Sequence, residues 1–138
     1  HYPLRRQRQM CIRDSLRTIS GLTPRSAEAA AAGLPNTVFA VVIENQADET
    51  VGMGRVIGDN GLFFQIVDIA VDPAHQGRGL GKAIMKALVD HLRATVPAEA
   101  YISLIADGEA HRLYAQYGFQ PTAPNSIGMA LFLRPNEA

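Results

Sequence analysis

The chain has a single cysteine, Cys11, and no tryptophan among its 138 residues. One thiol cannot close an intrachain disulfide, and small secreted domains that lean on disulfides carry several, so a cytoplasmic protein is expected. Long apolar runs are also missing: no stretch approaches the roughly 20 residues that cross a bilayer. The arginines near the N-terminus have no apolar segment behind them, which excludes a secretory signal of the usual form. His1, His75, His91 and His111 never stand at metal-ligand spacing with Cys11 or with one another, so no metal is expected. No serine sits in a nucleophile elbow either, and a covalent acyl-enzyme is not expected.

Neither sign of charge dominates, with 13 basic and 13 acidic residues. Residues 1–15 differ from the rest: they begin with His, gather Arg5, Arg6, Arg8 and Arg13, and follow neither apolar period. The run from Arg8 to Ser15 resembles translated adapter sequence, so 1–15 is expected to be a non-native or disordered leader and 16–138 the domain. Without the leader the balance is 9 basic against 12 acidic residues. A mildly acidic domain lacks the basic surface on which nucleic-acid affinity rests, so neither nucleic acid nor membrane is expected as a partner.

What is present is ordinary for one globular domain with its own core, 47% hydrophobic and 19% charged. Leu16 to Gly33 reads as a short helical piece, a break at Gly21-Leu22-Thr23-Pro24, and a second helix over Ser26–Ala32 closed by Gly33 and Pro35. Thr37–Glu44 is a β-branched strand, and Thr50–Gly58 its hairpin partner, weakened by three glycines. Asp59-Asn60-Gly61 is a tight turn, with Asn60-Gly61 suited to positive φ. Leu62–Val71 is nearly continuous in apolar residues, which fits a central strand covered on both faces. Leu80, Ile84, Leu88 and Leu92 repeat every four residues in an amphipathic helix over 79–95, stopped by Pro97. Ala100–Ala106 is a further strand, Glu109–Tyr117 a short helix capped by Gly118, and 119–121 and 127–133 are expected as final strands. The fold class is α/β, a mixed sheet flanked by helices.

Between the third strand and the long helix stands His75-Gln76-Gly77-Arg78-Gly79-Leu80-Gly81-Lys82. A glycine-rich turn entering a helix leaves a row of unobstructed N–H groups at the positive end of the helix dipole, a site for phosphate. It is not a P-loop, because Gln76 and Ala83 stand where glycine and Ser or Thr are required. Alternating Gly77, Gly79 and Gly81 do not match the dinucleotide pattern either. The remaining pattern, Gln76-x-x-Gly79-x-Gly81, resembles the acetyl-CoA diphosphate loop of the GCN5-related N-acetyltransferase (GNAT) family. A second segment, Leu113-Tyr114-Ala115-Gln116-Tyr117-Gly118-Phe119, is similar to a motif of the family's fourth helix. The resemblance runs over roughly residues 16–133, and the family's first strand would precede residue 16.

The resemblance implies an N-acetyltransferase that uses acetyl-CoA and a primary amine of a small molecule or peptide, with a homodimer as one possible state. It implies that the loop from Gln76 through Gly77, Arg78, Gly79, Leu80 and Gly81 to Lys82 cradles the CoA diphosphate. It places the pantetheine arm along the backbone of Ile69, Ala70 and Val71, where the two central strands splay. Tyr114 becomes the proton donor to the departing thiolate, its phenol being protonated throughout the physiological range; a ring packed in the core with a satisfied hydroxyl is the competing reading. Asp107 stands where relatives use Asn against pantetheine, and a helix N-cap competes with that role.

Asp68 interrupts the apolar strand, where an unpaired carboxylate is costly, so it has either a partner or a raised pKa. By alternation it shares a face with Phe64, Ile66 and Ala70. It is either a general base acting through water or a structural partner of Arg55. The resemblance alone places Met53, Arg55, Phe63, Phe64 and the Pro124-Asn125-Ser126 loop around the acceptor. A non-catalytic acyl-CoA sensor is the rival function, since such a loop by itself guarantees only binding.

Overall fold

The computed structural model describes residues 25–133; the leader, the first helical piece and any strand before residue 16 lie outside them. Helix α1 covers Ala27–Gly33, with the Ser26 hydroxyl accepting the Ala29 N–H at 3.0 Å as its N-cap. Gly33 does not end the helical path as expected; the chain tightens into a 3-10 turn at Leu34–Asn36. Strands β1 (Phe39–Glu44), β2 (Thr50–Gly58) and β3 (Phe63–Val71) come next as an antiparallel meander. The β2–β3 turn is held by one carboxylate: Asp59 Oδ1 accepts from the N–H groups of Gly61, Leu62 and Phe63 at 2.8, 2.8 and 3.1 Å. Those bonds, Gly61's first, hold the Asp59 carboxyl below its ordinary range, while Asn60 takes the positive φ of 66°.

Helix α2 (Leu80–Thr95) then crosses over the sheet so that β4 (Tyr101–Leu104) returns parallel to β3, giving the order β1-β2-β3-β4. Helix α3 (His111–Ala115) comes last, entered through a 3-10 turn at Gly108–Ala110. It is shorter than the expected 109–117, and Gly118 closes it at φ 95° with its N–H bonded to the Ala115 carbonyl.

The core lies between α2 and one face of the sheet. Ile84, Met85, Leu88 and Leu92 have no exposed surface, which is what their four-residue spacing dictates. The glycines of β2, which weaken the strand when read locally, have a tertiary reason. A Cβ on Gly54 would lie 2.6 Å from both Ile69 Cδ1 and Ile84 Cγ2, so the bare backbone is what lets α2 close on the sheet. Gly54→Val is therefore expected to cost about 1–3 kcal/mol through overpacking, read as a lower thermal midpoint.

Three expectations are corrected. First, β3 alternates fully buried with partly exposed residues rather than being covered throughout, and Phe63 at its start is 61% exposed. Second, Asp68 does not continue the alternation. The β2–β3 register passes from Met53↔Ala70 to Arg55↔Val67, which leaves one extra residue on β3, and Asp68 takes φ 57°. This is a β-bulge. It shifts the phase so that Ile69, not Ala70, joins Phe64 and Ile66 toward α2, while Asp68 meets Arg55 on the other face. Third, residues 119–121 and 127–133 form no strand; Ile127, Met129, Leu131 and Leu133 are each at least 71% exposed. An apolar alternation makes a strand only where an edge is there to pair with it.

The bulge also marks where the sheet divides. β3 pairs with β2 as far as Val71, but with β4 only from Phe63 to Ile66. Past Ile66, β3 and β4 part.

Candidate active site

The parted strands open onto two cavities. The first, of about 370 Å³, is walled by Ile69, Ala70 and Val71 of β3, by Gln76, Gly77, Gly79, Leu80, Gly81 and Lys82, and by Ala110, Leu113 and Tyr114. The loop is tied to the strand end by Gln76, whose Nε2 donates to the Val71 carbonyl at 3.3 Å. Gly77 and Gly79 hold φ of 79° and 78°, and a Cβ on either would meet nothing within 4 Å. The positive φ and the open space together explain why glycine stands at both positions. Gly79 is the N-cap of the 16-residue α2 and supplies no side-chain cap, so the first N–H groups of the helix have no acceptor from it, and Gly79, Leu80, Gly81 and Lys82 all line the cavity. Gly81 has a packing role besides: its missing Cβ leaves room for Leu113 Cδ2, 3.2 Å from where it would stand.

The residues expected on the cofactor side are gathered here, with two exceptions. Arg78 is exposed and lines neither cavity. Asp107 occupies the cap position before Gly108 but makes no capping bond with its side chain, and it lines the second cavity instead.

That second cavity, of about 560 Å³, lies on the bulge side and carries the charges: Arg25, Arg55, Asp68 and Asp107, with Gln65 and Ile105 among its other walls. Asp68 Oδ2 and Arg55 Nη1 are 3.4 Å apart, with side-chain exposures of 4% and 13%, so the buried carboxylate has its partner. Of the other residues expected around the acceptor only Arg55 is found in this cavity. Phe64 is in the core, Phe63 stands edge-on to Tyr101 at the surface, and Asn125 and Ser126 line a separate cleft of about 900 Å³ beyond β4. That cleft includes none of the expected cofactor-binding or catalytic residues. Arg25 and Gln65 carry no local signal in the sequence, since neither belongs to a motif.

Tyr114 belongs to both cavities. Its ring is part of the core at 8% exposure, yet its hydroxyl has no hydrogen bond to any described residue. Burial first, and the negative charge of Asp107 second, push its pKa above the ordinary phenol value. It therefore keeps its proton well past neutrality. One turn on, the Tyr117 hydroxyl donates to the Lys82 carbonyl at 2.9 Å and braces α3 against the start of α2. The sequence carries no local sign of this contact because its two ends are 35 residues apart.

Among known proteins, the Acetyltransferase (GNAT) domain family matches residues 35–121. GCN5-related N-acetyltransferase 2, chloroplastic, of Arabidopsis thaliana is 36% identical over 87 residues, which are 62% of this chain and 33% of that protein. N-alpha-acetyltransferase RimI of Mycobacterium tuberculosis is 38% identical over 70 residues, 50% of this chain and 42% of that one. The chain thus spans a third to under half the length of these curated relatives. A crystal structure of a probable acetyltransferase of unknown function from methicillin-resistant Staphylococcus aureus superposes with a TM-score of 0.85 at 43% identity, over 90% of this chain and 92% of that one. With more than half of its length inside the family match, and with a glycine loop, parted strands and a tyrosine between two cavities inside that span, this chain belongs to the GNAT acetyltransferase family.

Proposed function

We propose that this chain moves an acetyl group from acetyl-CoA directly to a primary amine of a small molecule or peptide. The observation that carries the reading is the place of Tyr114, a protonated donor whose hydroxyl no described residue engages, between a cavity walled by the glycine loop and a second cavity that carries Arg25, Arg55, Asp68 and Asp107. Acetyl-CoA supplies an activated thioester, whose acyl carbon takes the amine and whose sulfur leaves as a thiol.

The chain's own groups divide that work. The N–H groups from Gly77 to Gly81, at the start of α2 and beside Lys82, bind the diphosphate; Arg78, outside the cavity, contributes only general positive potential. The β3 edge at Ile69, Ala70 and Val71, where β4 no longer pairs with it, receives the pantetheine arm as a further strand would be received. Tyr114 donates its proton to the departing sulfur. Asp68, oriented by Arg55, takes the proton of the incoming amine through a water. Asp107 acts on Tyr114 by its charge rather than on pantetheine by contact.

The test is CoA release from acetyl-CoA with a panel of small amines, polyamines, amino acids and peptides. Amine-dependent release supports the reading. Tight acetyl-CoA binding with no release for any amine would replace it with a binding module.

The Asp68 assignment has its own prediction. Asp68→Asn keeps the volume and suits the positive φ of the bulge, since Asn tolerates the left-handed region. With the proton acceptor gone, kcat/KM is expected to fall by about 10² and the acidic limb of the pH profile to vanish. A lower thermal midpoint with the pH profile unchanged would instead make Asp68 only the ion-pair partner of Arg55.

A further inference from the structure

The second cavity holds more charge than acetyl transfer uses. The reaction as proposed draws on Asp68 with Arg55 behind it, on Asp107 and on Tyr114, whereas Arg25 lines the same walls and has no part in it. Arg25 comes immediately before Ser26, the N-cap of α1, so its backbone is anchored where that helix begins. Its guanidinium carbon lies over the Phe132 ring, 4.8 Å from the centroid. A cation–π contact steadies a guanidinium without engaging an oxygen acceptor, and among the described residues no carboxylate forms an ion pair with Arg25.

The charges of the cavity are not evenly spread. Arg55 and Asp68 meet at 3.4 Å and offset each other, which leaves Arg25 as its cation and Asp107 as its anion. Asp107 lies toward Tyr114, because its negative charge acts on the phenol and no cation opposes it there. The acidic end is thus the end where the acyl group would be handed over, and Arg25 stands apart from it. A ligand complementary to these walls carries an amine at one end and an oxyanion at the other. One that carries only positive charge meets Arg25 as a like charge. A volume of about 560 Å³ suits a small molecule.

Resting on the acetyl-transfer reading of this site, we propose that the acceptor is a small zwitterion, a primary amine that also bears a carboxylate or a phosphate. Arg25 binds the oxyanion through its N–H fork, whose geometry matches both groups. Phe132 is a positioning residue that holds the guanidinium, and the amine lies between Asp68 and Tyr114. The two parts of this specificity element come from opposite ends of the described chain, one before α1 and one at 132, and meet only in the fold.

The test uses the full chain and amines matched in all but the acid: tyrosine against tyramine, histidine against histamine, lysine against cadaverine, and O-phosphoethanolamine against ethanolamine. For CoA release from acetyl-CoA, kcat/KM is expected to favour the acid-bearing member of at least one pair by about 10- to 100-fold, the range a charge-assisted hydrogen bond supplies. The carboxylate and phosphate pairs tell the two oxyanions apart. Arg25 is exposed, so its variants are expected to fold as the parent does. Arg25→Gln is expected to bring the ratio close to unity, Arg25→Lys to restore part of it, and Phe132→Leu to lower it. Acetyl-CoA affinity is expected to hold in all three, because the loop cavity contains neither residue. The loss of the ratio in Arg25→Gln separates recognition of the acid from the lower basicity of an amino acid's amine. Calorimetry of the same pairs against the protein saturated with CoA reads the preference without turnover. A preference in binding with no CoA release would sink acetyl transfer and leave the zwitterion site standing. Release at equal rates for both members of every pair, a preference for the amines without the acid, or a ratio unmoved by Arg25→Gln would overturn the zwitterion site and leave the transfer standing. Failure of every one of these acids to bind would overturn it as well.

Discussion

Gly79→Val is expected to abolish measurable acetyl-CoA binding while leaving the protein folded. The expectation rests on two facts about one position. Gly79 holds φ 78°, a region that β-branched residues avoid, so the substitution stores strain of about 1–3 kcal/mol at the mouth of α2. Its added side chain collides with nothing in the protein, because no atom lies within 4 Å of where the Cβ would stand. The space it enters is the space in front of the helix N-terminus, where the diphosphate must come close to the backbone. Calorimetry with acetyl-CoA and a thermal scan of the same sample separate the two effects. Unchanged affinity in a folded variant would remove the loop from the binding site, and the proposed reaction with it.

The second large effect is expected at Tyr114. Tyr114→Phe deletes one hydroxyl and keeps the ring that fills the core, so fold and acetyl-CoA affinity are expected to survive. What is lost, in the proposed role, is a donor that matters as charge develops on sulfur and contributes nothing to ground-state binding. kcat is therefore expected to fall by about 10 to 10³ with little change in affinity. The loss is partial because a thiol with a pKa near 8.5 is a tolerable leaving group unaided.

The pH dependence has a definite sign. In the proposed role Tyr114 acts in its protonated form, and its pKa lies above the ordinary value, so activity resting on it is expected at neutral pH and is lost only as pH rises through that elevated pKa. Asp107 contributes to the elevation, so Asp107→Asn is expected to move the alkaline limb toward lower pH, and Tyr114→Phe to remove it. Equal turnover by Tyr114→Phe and its parent would end the general-acid assignment.

These residues are not equally legible in the unfolded chain. Gln76 to Lys82 can be read directly, because a turn that must take positive φ and bare its N–H groups leaves its demand in consecutive letters. Tyr114 is visible through its neighbours Gly118 and Phe119 and its distance from the loop. Asp68 is conspicuous as a carboxylate in an apolar strand, and Arg55 as its partner, but the face it takes is not the one alternation predicts. Strand alternation assumes an unbroken register, and a bulge depends on how two strands pair. Asp107 shows the converse: its cap position is readable, but the cavity its carboxylate lines depends on where β3 and β4 part.

By itself, then, the sequence determined the features set by neighbours along the chain. The 3.6-residue period of α2, the runs that become β1 to β4, the Asp59 turn and the positive-φ glycines of the loop all belong to that class. Tertiary structure decided whatever depends on residues far apart meeting. Gly54 is explained only by Ile84 coming down on it, and the second cavity exists only because Arg25, Arg55, Asp68 and Asp107 converge from four separate segments. Residues 127–133 have the letters of a strand and no strand, because pairing needs an edge, and where that edge lies is a property of the folded molecule and not of those seven residues.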